Sequence, residues 1–159
     1  MTGIDELAET VIAKARAANR TIATGESVTA GWVASALSSV PGASAVLRGG
    51  VIAYHSDVKK DVLSVTEDAL SHGLVSREVA IEMAQGAIRL MKANFGVGTT
   101  GAAGPDPHDG ADVGSVWIAI CGGAEKRSAH FQLSGNREEI RRGAVAEALR
   151  LLDGELDRE

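Results

Sequence analysis

A chain of 159 residues, with 45% hydrophobic and only 3% aromatic residues, fits one domain with a sizeable core and argues against extended disorder. Small side chains and the 19 glycines must then fill much of the interior and its turns. The formal net charge is −5, and the basic pairs Lys59-Lys60 and Arg141-Arg142 stand isolated. That disfavours nucleic acid as the main partner, while one or two local cations still suffice for a phosphate.

Cys121 is the single cysteine, so neither an internal disulfide nor a cysteine-based zinc site is expected. The start, Met-Thr-Gly-Ile-Asp-Glu, is acidic where a signal peptide would be basic. Apolar runs stay short of the ~18 residues of a membrane span. A soluble protein of the reducing cytoplasm is the expectation.

Thr2 is placed to cap a first helix running to Ala18, with Asp5 in its first turn and an apolar face from Ile4, Leu7 and Ile12. Thr21 to Ala23 reads as a short strand, and Thr29 to Leu37 as a helix. Val40-Pro41-Gly42-Ala43 reads as a turn, because proline fixes φ and glycine tolerates positive φ. Gly50 to Tyr54 is a second strand, followed by short helical pieces from Asp57 to Leu70. The clearest helix runs from Arg77 to Ala93, with Ser76 as its cap and Val79, Met83, Ala87, Leu90 and Met91 on one face.

Gly96 to Thr100 is a third strand and enters the loop Gly101 to Pro107. Val113 to Cys121 is a fourth, with Val116, Ile118 and Ile120 facing one way and Trp117 the other. Arg127 to Leu133 is a fifth, separated from the fourth by Gly122-Gly123, which predicts an antiparallel hairpin. Asn136 opens the last helix with Glu139 placed for a capping box. Alternating helices and strands, ending in a hairpin, predict a single α/β domain with a mixed sheet and helices on both faces.

Three segments have residue types that carry chemistry. In Gly25-Glu26-Ser27-Val28-Thr29-Ala30-Gly31, a strand enters and a helix leaves. Ser27 would lie near backbone N–H groups and the helix dipole, where a phosphate or an oxyanion can be held. A plain N-cap role for Ser27 or Thr29 explains the same pattern. The segment departs from a nucleophile elbow, since Thr29 stands where glycine is needed, and from a Ser-x-x-Lys signature at Ala30. In Tyr54-His55-Ser56-Asp57-Val58-Lys59-Lys60, Tyr54 and Lys59 can share one crevice. A lysine acts as a base only when burial or nearby positive charge lowers its pKa, and a solvated lysine pair is the alternative. Thr99 to Pro105 follows a strand, with glycines that permit close ligand approach or simply turn the chain. His55, His72, His108 and His130 lack paired metal spacing, so no metal and no other cofactor are expected.

Taken in order, these segments resemble the CinA C-terminal domains, the nicotinamide-mononucleotide amidohydrolases. Gly25 to Gly31 is similar to Ala-Glu-Ser-Cys-Thr-Gly-Gly, with Val28 for cysteine and Ala30 for glycine. Pro41-Gly42-Ala43-Ser44 is similar to a Pro-Gly-Ala-Ser turn, and Tyr54 to Lys59 to Tyr-Ser-Asn-x-x-Lys. Gly73 to Ala84 matches a Gly-x-Val-Ser block, and Thr100 to Pro105 resembles Thr-Gly-Ile-Ala-Gly-Pro. Val113 to Val116 and Gly135-Asn136-Arg137 complete a set that covers Ile22 to Leu152.

The resemblance implies a three-layer α/β/α sandwich with a mixed, mostly parallel sheet, standing alone where longer relatives carry an additional N-terminal domain. It implies hydrolysis of the nicotinamide carboxamide to the nicotinate nucleotide plus ammonia. Ser27 would be the nucleophile, Lys59 its base, and Tyr54 a relay or orienting group. Thr29, Ala30, Gly31, Gly42, Ser44, Thr100, Gly101, Gly104 and Arg137 would bind substrate. The expected partner is a small-molecule pyridine nucleotide, without nucleic acid or membrane, and the expected assembly is a homo-oligomer, dimer or higher. The alternatives are an amidase for another pyridine nucleotide and a catalytically silent ligand- or partner-binding module of the competence/damage-inducible type.

Overall fold

The computed structural model describes residues 3–122 and 125–159. Five strands form one sheet in the order β2-β1-β3-β4-β5: β1 is Ile22–Glu26, β2 Leu47–Ile52, β3 Phe95–Gly101, β4 Ser115–Gly122 and β5 Glu125–Gln132. β1 pairs in parallel with both β2 and β3, whereas β4 pairs antiparallel with β3 and with β5. Four strands therefore share one direction and β4 alone is reversed, as the mixed and mostly parallel expectation required. The ends of β1, β2, β3 and β5 all emerge at one side of the sheet.

The helices are α1 (Ile4–Ala17), α2 (Trp32–Ser38), α3 (Ser56–Asp61), α4 (Glu67–Ser71), α5 (Arg77–Met91) and α6 (Arg137–Leu156). The larger core lies between one sheet face and α1, α2 and α6, where Ile22, Val97, Val116, Ile118 and Ile120 meet Val11, Leu37, Val145 and Leu149. Burial of each large aliphatic side chain there contributes about 1.5–3 kcal/mol. The opposite face carries α5, with Ala80 and Ala84 against Ala119, Cys121 and the partly buried Trp117. Trp117 thus faces away from Val116 and Ile118, as the alternation in β4 predicts.

Glycines set the closeness of that second layer. A methyl on Gly96 would collide with the Ala84 carbonyl, and one on Gly98 with the Ala80 carbonyl. α5 therefore rests on β3 almost backbone to backbone. A chain with few aromatic residues fills its interior in this way.

Caps follow their sequence signals. Ser76 accepts the Val79 N–H at the start of α5, and Asn136 and Glu139 form the reciprocal capping box of α6. Several boundaries differ from expectation; β1, for instance, runs on to Glu26 rather than ending at Ala23. Gly3 occupies the N-cap position of α1 without a side-chain bond, and the expected cap Thr2 lies outside the described residues, as does Gly123 of the hairpin turn. α2 begins at Trp32 rather than Thr29, because Ala30 and Gly31 adopt φ of +46° and +93°, which cannot continue a right-handed helix. β2 starts at Leu47 and ends at Ile52, so Tyr54 lies two residues beyond it.

Candidate active site

Parallel β1 and β2 deliver their following segments side by side, and there the serine and lysine meet. α3 is capped by His55, whose ring accepts the Asp57 N–H. Successive residues on a helix point about 100° apart, so only one of the two lysines can face inward. Lys59 is 2% exposed and lies with its Nζ 2.9 Å from Ser27 Oγ and 2.9 Å from the Tyr54 carbonyl oxygen. Burial lowers its pKa from 10.5 to about 8. Lys60 points outward to an ion pair with Glu67, which raises its pKa.

Ser27 forms part of the wall of a cavity of about 270 Å³ that also involves Tyr54, Gly101, Gly104 and Arg137. Arg137 joins its segments: one guanidinium nitrogen donates to the Gly104 carbonyl at 2.6 Å and another to the Tyr54 hydroxyl at 2.9 Å. Arg137 reaches this end because β5 runs in the same direction as β3 and hands the chain to α6 there. Tyr54 is 58% exposed, and its hydroxyl accepts from Arg137 at the mouth of the cavity.

The backbone of the nucleophile loop sorts its donors. The Ser27 N–H donates to the Thr99 carbonyl and the Ala30 N–H to the Ser27 carbonyl. Gly31, Val33 and Ala34 donate to the Glu26 carboxylate. The α2 terminus is thereby occupied by the protein's own anion. The N–H groups of Val28 and Thr29 have no acceptor among the described residues. Arg141 binds the carbonyls of Val28 and Thr29 at 3.0 and 3.3 Å and stacks on Trp32, 3.7 Å from the ring centroid.

Several residues expected to bind substrate are placed elsewhere. Thr29 is fully buried, with its hydroxyl bonded to Glu26 and Thr99. Ala30 and Gly31 shape the loop but do not line the cavity. Gly42 and Ser44 lie in an exposed turn around the 3-10 segment Ala43–Ala45, and Gly42 sits beside Arg16. That turn precedes β2, at the end of the sheet opposite the crevice. The Thr100 hydroxyl donates to the Leu74 carbonyl at 2.7 Å, tying β3 to the segment before α5.

The cavity also has contributors that the sequence reading passed over. Asp106 and His108 stand on the β3–β4 connection, which folds back through reciprocal bonds between His108 and Ala111. Asp109 pins this flap by accepting the Leu74 N–H at 2.6 Å. Glu26 and Arg141 were also missed. The available signals were a carboxylate ending an otherwise uncharged, fully buried strand, and an arginine four residues after Arg137, on the same helix face. Cys121 is buried, which pushes its thiol up to about 11, and it lies in the α5 layer. Among the described residues no cluster of three metal-ligating side chains occurs, and no helix is long and apolar enough to cross a membrane.

Fold and site together define a three-layer α/β domain with a buried serine–lysine dyad at the ends of parallel strands. The chain belongs to the CinA C-terminal domain family, whose model matches residues 4–156. A CinA-like protein of Anaeromyxobacter sp. (strain K) is 45% identical over 152 residues, which are 94% of this chain and 37% of that protein. The chain therefore spans little more than a third of that relative's length. The competence/damage-inducible protein CihA of Agrobacterium tumefaciens superposes with a TM-score of 0.92 at 35% identity, covering 99% of this chain and 97% of that one. A CinA superfamily protein of Klebsiella pneumoniae gives 0.95 at 28% identity, covering 99% and 100%.

Proposed function

We propose that this domain is a cytoplasmic amidohydrolase that converts nicotinamide mononucleotide to nicotinate mononucleotide and ammonia. The observation that carries this reading is the 2.9 Å approach of Lys59 Nζ to Ser27 Oγ at the cavity wall, with the lysine pKa held near 8 by burial. A neutral Lys59 directs its lone pair at the serine proton and one N–H at the Tyr54 carbonyl. As Ser27 Oγ attacks the carboxamide carbon, its proton passes to Lys59. The tetrahedral oxyanion is received by the Val28 N–H group beside Ser27 at the cavity wall, and one such donor is typically worth roughly 3–4 kcal/mol in the transition state.

Collapse breaks the carbon–nitrogen bond, and protonated Lys59, aided by the Tyr54 hydroxyl, supplies the proton that the departing ammonia needs. Water then attacks the acyl-serine while neutral Lys59 takes its proton, and the returning proton restores Ser27. The ribose phosphate lies along Gly101, Gly104 and Arg137. Arg137 is held by Tyr54 and Gly104 and retains N–H groups for an anion.

The test is ammonia release from nicotinamide mononucleotide by the purified protein, with Ser27→Ala as control. Serine-dependent release with nicotinate mononucleotide as co-product supports the reading. Tight nucleotide binding without ammonia would replace it with a silent ligand-binding module. Release from a different pyridine nucleotide alone would retain the chemistry and change the substrate.

A further inference from the structure

Glu26 is 1% exposed, yet a carboxylate is seldom buried without a purpose for its charge. Five donors converge on it: the hydroxyls of Thr24 and Thr29 and the N–H groups of Gly31, Val33 and Ala34, at 2.6 to 3.1 Å. Its two oxygens therefore act only as acceptors. That fixes the direction of the next bond. The single proton of the Thr29 hydroxyl goes to Glu26 at 2.6 Å, so the 2.8 Å contact between Thr29 and Thr99 must be donated by Thr99. The Thr99 oxygen then presents its lone pair to the Ser27 N–H at 3.4 Å, beside the 3.0 Å bond to the Thr99 carbonyl.

A one-way chain thus runs from the nucleophile's own N–H through two threonine hydroxyls to a buried carboxylate. The same carboxylate holds the first turn of α2 and leaves Val28 and Thr29 as the free donors in the loop. Buried chains of this kind strengthen along their length and define one geometry.

Resting on the deamidase reading above, we infer that Glu26, acting through Thr29 and Thr99, is the positioning residue of the nucleophile. It does not line the cavity, and the Lys59 ammonium bonds Ser27 Oγ and the Tyr54 carbonyl instead. Glu26 sets where Ser27 Oγ stands relative to the lysine and to the Val28 N–H. Displacement of a reacting group by about 1 Å can cost ~10²-fold in rate, so loss of the chain is expected to lower kcat while leaving substrate binding in place.

The experiment compares Glu26→Gln, Thr99→Val and Thr99→Ser with wild type in two assays, each on protein shown to be folded by circular dichroism. The first measures kcat and KM for ammonia release. The second measures the rate at which a fluorophosphonate labels Ser27, which requires an activated serine but no nucleotide recognition. Leu149→Ala, in the fully buried core away from the cavity, controls for lost stability. The expected result is a kcat and a labelling rate both lowered at least about 10-fold in Glu26→Gln and Thr99→Val. KM should stay within twofold, and Thr99→Ser and Leu149→Ala should stay near wild type.

Wild-type rates in Glu26→Gln and Thr99→Val would overturn the inference. So would an equal loss in Thr99→Ser or Leu149→Ala, since that would mark a general structural effect. If wild type labels at Ser27 but releases no ammonia from nicotinamide mononucleotide, the deamidase reading fails and the labelling rates still decide the role of Glu26. If Glu26→Gln does not fold, the nearly isosteric Thr99→Val decides alone. If wild type fails to label, Ser27 is no activated nucleophile and the inference falls.

Discussion

Replacing Lys59 by methionine should abolish catalysis and make the protein more stable near neutral pH. The folded protein holds Lys59 with a pKa of about 8 against 10.5 for a solvated lysine. At 1.36 kcal/mol per pH unit, carrying its proton in the folded state costs about 3 kcal/mol, an order-of-magnitude figure. Below pH 8 both folded and unfolded chains are protonated and this cost is fully present. Between pH 8 and 10.5 the unfolded chain binds the extra proton, so wild-type stability rises with pH until the penalty has gone.

Methionine is apolar and of similar length. It removes the penalty and forfeits the bonds to Ser27 Oγ and the Tyr54 carbonyl, worth about 1–2 kcal/mol together. Lys59→Met should therefore gain about 1–2 kcal/mol at pH 7, roughly 2–8 °C in Tm. Its advantage should shrink steadily as pH rises from 8 to 10. Urea denaturation at pH 7, 8, 9 and 10 reads this directly, and ammonia release should fall at least ~100-fold. A variant less stable than wild type at pH 7, with a difference that does not vary with pH, would refute the reasoning that burial alone sets this lysine.

In the wild type, kcat should climb with pH and level off above an apparent pKa near 8, as a pH–rate profile would show. Lys59→Arg should be inactive, since arginine stays protonated, whereas Lys60→Ala should keep most activity in the same ammonia assay, its side chain being paired outward with Glu67. Arg141→Ala frees the Val28 and Thr29 carbonyls and should lower kcat by about 10-fold or more with a smaller change in KM. Gly98→Ala should destabilise the fold by about 1–3 kcal/mol in urea titration, because its methyl meets the Ala80 carbonyl and α5 must lift from β3.

The meeting of Ser27 with Lys59 was legible only through the family resemblance. The residues alone left a plain N-cap and a solvated lysine pair as alternatives, and it was the motif that placed its lysine at Lys59, five residues after Tyr54, rather than at Lys60. The caps Ser76 and Asn136 were legible because their signals are local. The start of α2 was not, because apolar periodicity is blind to the positive φ of Ala30 and Gly31. Gly42 and Ser44 were drawn toward the site by their motif, yet a motif does not encode which end of a strand its turn occupies. The destination of Glu26 was hidden for a related reason. Its partners at Gly31, Val33 and Ala34 reach it only after the chain has doubled back.

The reversal of β4 has an evolutionary consequence. Gly101 and Val116 are paired neighbours, so the chain leaves β3 and re-enters β4 at the same rim, and the flap with Asp106 and His108 is a detour between two fixed posts. Its length and composition can drift without shifting Ser27 or Lys59, which hang from β1 and from the segment after β2. Selection can therefore retune which ligand enters while Ser27 and Lys59 are inherited unchanged, and a library confined to residues 105–113 would explore ligand range at little risk to that pair.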